Sequence, residues 1–192
     1  LRARIESYRV VDLARKVVGV GSVGTRAWVV LLMGRDAADP LILQLKEAQR
    51  SVLAPYAGDV DHGSQGRRVV EGQRLMQAAS DHLLGWTHQA GFDGKPRDFY
   101  VRQLWDGKAS IDVTHLTPAG LRVYGESCGW TLARGHARSG DRIAMAAYAG
   151  TDAEYDEAMA AFATAYADTN ETDHAALVAA IASGRITALE GV

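Results

Sequence analysis

Cysteine is almost missing from this 192-residue chain, and the single Cys128 excludes an internal disulfide. A charged leader with a hydrophobic core is also missing at the start, and the two absences together predict a reducing, cytoplasmic setting. No apolar run approaches the roughly 18 to 20 residues that a membrane-crossing helix needs, so no membrane partner is expected. Charge of one sign is lacking as well. Twenty-one Lys and Arg face 23 Asp and Glu for a formal net charge of −2, where a nucleic-acid-binding domain would show a basic face. Runs such as Gly66-Arg67-Arg68 are too short to supply one. The six histidines fall in no HExxH or clustered pattern, which leaves a tightly bound zinc without support.

A chain of this length can bury roughly 70% of its unfolded surface as one domain, so a sizeable core needs no disulfide. Its most informative segment is Val17-Val18-Gly19-Val20-Gly21-Ser22-Val23-Gly24, followed by Thr25 to Met33. Glycine amides approach phosphate oxygens with no Cβ in the way. The element after the third glycine decides the meaning: a dinucleotide fold needs a helix there, whereas a kinase-like phosphate flap needs a second strand. The Trp28-Val29-Val30-Leu31-Leu32 run has no helical stripe and predicts a buried strand. The expected order is strand, glycine flap, strand, with residues 1–16 forming a short helix that leads in.

Leu41-Ile42-Leu43-Gln44-Leu45-Lys46-Glu47 then alternates with period two. The leucines share one face, and Lys46 points to the other with Ile42 and Gln44. A lysine on a third strand beside a glycine hairpin suits phosphate contact; a solvated edge residue that discourages aggregation is the other reading. Val69, Gly72, Met76, Ala79 and Leu83 predict a helix with one apolar face, and Glu71 lies on its flank. Glu71 is the best-placed carboxylate to orient Lys46, and a solvated charge paired with Arg74 or Arg67 is the alternative. Glu47 is a poorer partner because adjacent strand residues project from opposite faces.

The stretches RIESYRVVDLARKVVGVGSVGTRAWVVLL, LILQLKEAQRSVL, RRVVEGQRLMQAASDHLLGWT, DFYVRQLWDGKASID and CGWTLARGHARSGD closely resemble the C-terminal half of the bacterial domain-of-unknown-function 2252 family. Members of that family look like distant relatives of the aminoglycoside phosphotransferase and protein-kinase group. The resemblance implies an α+β fold: a kinase-like antiparallel five-stranded lobe with one packed helix over residues 1–105, then a helical region over 106–192. It also implies that Gln103 lies in a hinge whose backbone meets an adenine edge. ATP and magnesium are the implied cofactors.

Acidic segments of the form GDxHxxNF and DFD, which the family is expected to carry upstream, do not occur here, and the chain opens with Leu1. The expectation is a C-terminal fragment whose partner is the N-terminal half of the same protein, with magnesium ligands and catalytic base in that half. On this reading the fragment binds nucleotide through Gly19, Gly21, Ser22, Gly24 and Lys46 and does not itself catalyse transfer. A pseudoenzyme or interaction module with the same fold is the alternative, and a Rossmann-type fragment is a third.

Gly85–Thr87 and Phe99–Leu104 read as two further strands, and beyond them the pattern turns helical. Leu121, Tyr124, Cys128 and Leu132 form a stripe from Pro118 to about His136, with Cys128 expected in the core. Thr151 and Glu154 fit a capping box for a helix carrying Tyr155, Met159, Phe162 and Tyr166. A separate alanine-rich helix is predicted from about Asp173 to Ser183, stopping at Gly184. Cys128 and His136 lie too far apart along one helix to form a thiol–imidazole pair.

Overall fold

The computed structural model describes residues 6–16, 19, 24–58, 60–91, 93–105, 107 and 110–188. The chain divides into two compact units, Leu1–Gly140 and Asp141–Val192.

The first unit is built on strands β1 (Arg9–Arg15), β2 (Ala27–Met33), β3 (Pro40–Ala48), β4 (Gly85–Ala90) and β5 (Pro96–Gln103). They form one antiparallel sheet in the order β1-β2-β3-β5-β4, so the fold is mixed α+β as expected. Residues 9–15 are a strand and not the predicted helix. The ladder with β2 shifts between Val10 and Asp12, and such a bulge breaks the period-two pattern by which a strand is recognised. All seven residues of β1 are exposed, so no buried face offsets the missing alternation.

Residues directly opposite in an antiparallel ladder share a face. The register therefore aligns Arg15, Trp28, Leu45 and Val101 on one face, and Ala27, Lys46, Tyr100 and Trp86 on the other. Helix α1 is the short turn Ala54–Ala57, and helix α2 (Gln65–Met76) packs on β3, β4 and β5. Its side of the sheet is the Lys46 side: the Arg67 guanidinium lies 6.0 Å from the Trp86 ring centre, and the Gln65 amide donates to Asp98 at 2.7 Å. Ser64 caps α2 by accepting from the Arg67 amide.

The buried positions of α2 are Gly66 and Val70. The predicted stripe runs on through Ala79 and Leu83, but the helix stops at Met76, where Gln77 turns to extended backbone. Arg74 then donates to the Leu84 carbonyl at 2.6 Å and ties the following turn to the start of β4. Central placement of β3 explains why Leu43 and Gln44, on opposite faces, are both buried. The buried Gln44 amide oxygen accepts from Arg102 Nε at 3.2 Å and Nη2 at 3.0 Å, so burial leaves it satisfied.

After a short 3-10 turn (Val113–His115), helix α3 (Pro118–Ser139) starts from the Thr117 cap and packs on α2. Arg138 donates to the Leu75 carbonyl at 3.0 Å. Cys128 is exposed, not in the core. Its stripe has the right spacing, but Leu121 and Leu132 on it are also 50% and 61% exposed.

The second unit holds α4 (Arg142–Ala149) and α5 (Glu154–Ala182). Asp141 caps α4 through the amides of Ile143 and Ala144. The two predicted helices at 154–166 and 173–183 are one 29-residue helix, because the polar stretch between them contains no glycine or proline to break it. No side-chain cap forms at its start; Ala153 occupies that position. Gly184, at φ +72°, follows the last turn as expected. Among the described residues no helix is long and apolar enough to cross a membrane.

Candidate functional site

The β1–β2 connection closes through the Lys16 amide, which donates to the Ala27 carbonyl at 2.9 Å. Within it Gly19 has φ +52° and Gly24 φ +79°. A Cβ at either position would meet no atom within 4 Å, so the backbone angle, and not crowding, asks for glycine. Val17, Val18, Gly21 and Ser22 lie outside the described residues. The segment after Gly24 is the antiparallel strand β2, and that removes the Rossmann-type reading.

Lys46 sits near the end of β3, opposite Ala27 on β2 and Tyr100 on β5. It is half-buried and shares its face with Gln44, Tyr100 and Trp86, the face on which α2 lies. Burial pushes the Tyr100 phenol pKa up. Sequence reasoning missed Tyr100, although alternation along Phe99-Tyr100-Val101-Arg102 places it on the Lys46 side once the register is known.

Glu71 does not pair with Lys46. Its Oε1 accepts from Arg67 Nε at 2.7 Å and its Oε2 lies 3.1 Å from His62 Nδ1. Hydrogen bonds from Arg67 and then His62 hold its carboxyl below the usual carboxylate range. Arg67 wins because it stands one turn back on the same helix, the i,i+4 geometry that needs no long reach. His62 carried no sequence signal, since it enters from the loop before α2.

Glu47 projects to the opposite face, as period two requires. Its side chain is only 8% exposed and accepts from the Arg26 guanidinium at 3.0 Å and the Arg26 amide at 3.1 Å. Arg97 lies 3.6 Å away and pairs in turn with Asp93 through two contacts of 2.5 and 2.6 Å. Burial alone would raise the Glu47 pKa, but hydrogen bonds from Arg26 and Gln49 outweigh it and the net shift is downward.

Gln103 ends β5 exposed, and its amide donates to Asp81 Oδ2 at 2.6 Å. The Leu104 amide donates to the Ile42 carbonyl. Asp98, beside α2, accepts from His88 at 2.7 Å as well as from Gln65. Among the described residues no group of three or more His, Cys, Asp or Glu is placed to hold a metal ion.

An antiparallel sheet with a helix on one face, a lysine on that face and a glycine-containing connection at its edge defines a mixed α+β domain whose architecture names no single chemistry. The chain belongs to the bacterial DUF2252 family, described as an uncharacterized protein conserved in bacteria, whose profile matches residues 1–180. No curated protein and no solved structure matches the chain.

Proposed function

We propose that this chain is the nucleotide-binding half of a kinase-like phosphotransferase relative. The observation that carries the reading is the position of Lys46: third strand, helix-covered face, and next in register to the strand that leaves the glycine connection. In this reading the backbone at Gly19, Gly21, Ser22 and Gly24 covers the phosphates, and the Lys46 ammonium neutralises a phosphate oxygen. ATP supplies the phosphoryl group. Acidic ligands for magnesium and the base that positions the acceptor belong to an upstream half, so this chain alone binds without turnover.

Two features shape the details. The Gln103 amide is already spent on Asp81, so adenine recognition there would use other backbone groups of the 103–105 segment. Glu71 would have to exchange Arg67 and His62 for Lys46 in order to orient it. That second point favours the alternative, a non-catalytic interaction module with the same fold.

Calorimetric titration with ATP and magnesium tests the reading. Saturable binding by the chain and its loss in Lys46→Met support it; absence of nucleotide binding rejects it in favour of the interaction module. Ligand at 100 times its dissociation constant should also stabilise the fold by about 2.7 kcal/mol.

A further inference from the structure

The sheet face turned away from Lys46 and α2 carries a cleft of about 540 Å³, within the size range of small-molecule sites. Its floor is apolar: Leu13 of β1, Trp28 of β2, Leu45 of β3 and Phe99 of β5. Gln89, Ala90, Gly91 and Asp93 line another side. A side chain at Gly91 would run into the Arg97 guanidinium, and Arg26 and Asp93 of the same charge cluster line the cleft themselves.

Charge on this face is almost balanced. Arg26 and Arg97 are paired with Glu47 and Asp93 in one continuous network, two cations against two anions. Arg15 also lines the cleft. It makes no hydrogen bond or ion pair among the described residues, and it stands directly across from Trp28 in the β1–β2 register. One uncompensated guanidinium therefore borders an indole and an apolar floor.

We propose that this cleft binds a planar apolar molecule that carries a single carboxylate. The ring system would lie on Trp28, Leu45 and Phe99, and Arg15 would take the carboxylate in the two-pronged geometry guanidinium favours. A dianion would face only one unpaired cation and would be repelled by the Glu47 and Asp93 side of the network. A neutral ring would leave Arg15 unused. The selectivity thus follows from the charge count of the face and not from its shape alone.

The test is calorimetric titration of the 192-residue chain with 2-naphthoate and with 2-naphthylmethanol, which differ in the anionic group and share the rings. The expected result is one-to-one binding of both, with the carboxylate about tenfold tighter. Arg15 is exposed, so Arg15→Gln should leave the fold intact. It should reduce naphthoate to the affinity of the alcohol without changing the alcohol. Equal affinity of the two ligands for the unaltered chain, unchanged naphthoate binding in Arg15→Gln, or no saturable binding of either compound would overturn the proposal.

Discussion

Gly66 of α2 lies so close to the Phe99 carbonyl oxygen that a Cβ there would collide with it, and the same Cβ would come within 3.0 Å of the Trp86 Cβ. This is where the helix meets the sheet. Alanine favours a helix interior over glycine by about 1 kcal/mol, yet the clash is with backbone that cannot rotate away. Gly66→Ala should therefore destabilise the chain by about 1–3 kcal/mol, read from urea unfolding. A gain in stability would mean that α2 can lift off the sheet at no cost.

Lys46→Met should weaken ATP binding by at least about tenfold, since a charge pair near a protein surface has a Coulomb scale of about 4 kcal/mol before desolvation and screening. Glu71→Gln provides the contrast: with Glu71 held by Arg67 and His62, the variant leaves ATP affinity unaltered unless nucleotide draws the carboxylate to Lys46. A parallel titration of both variants reads the two roles separately.

Stability should fall in acid partly through Glu47. Its folded pKa lies below the ordinary 4.5, so between the two values the unfolded chain binds the proton more readily than the folded one. The stabilisation is complete above about pH 4.5 and is lost as pH drops through the lower, folded value. Asp98 works in the same direction: burial raises its pKa, but bonds from His88 and Gln65 bring it down overall. Glu47→Gln should cost about 1–3 kcal/mol at neutral pH and flatten the acid limb of a stability–pH curve. An unchanged limb would assign the acid sensitivity to other carboxylates.

Gly24→Ala should cost about 1 kcal/mol, because φ is +79° and an L side chain resists that region. Asn tolerates left-handed backbone better, so Gly24→Asn should lose less. Neither introduces a clash, since the space around that Cβ is open. Equal losses in the two variants, measured by chemical denaturation, would show that the cost is not one of backbone angle.

Local periodicity carries most of what is legible in the residues alone. The alternation of Leu41, Leu43 and Leu45 against Ile42, Gln44 and Lys46 places β3 and both of its faces correctly, because a buried central strand leaves a period-two record. The Arg67 alternative for Glu71 is also visible, being an i,i+4 pair on one helix. The hidden contacts join a loop to a helix or one strand to another: the His62 contact, the Tyr100 neighbour of Lys46, and the Arg26–Glu47–Arg97–Asp93 network. Each joins residues whose proximity depends on strand register or loop path.

The sequence by itself determined the strand character of the segment after the glycines and the face on which Lys46 lies. These depend on backbone preferences and on alternation within a few residues. Tertiary structure alone decided that Arg9–Arg15 is an edge strand, since a bulge against β2 erases its pattern. It alone decided that α2 stops at Met76, where Arg74 ties the chain to the start of β4. And it decided that Cys128 is exposed: a stripe of apolar residues records which side of a helix is hydrophobic, but whether another element covers that side is a property of packing.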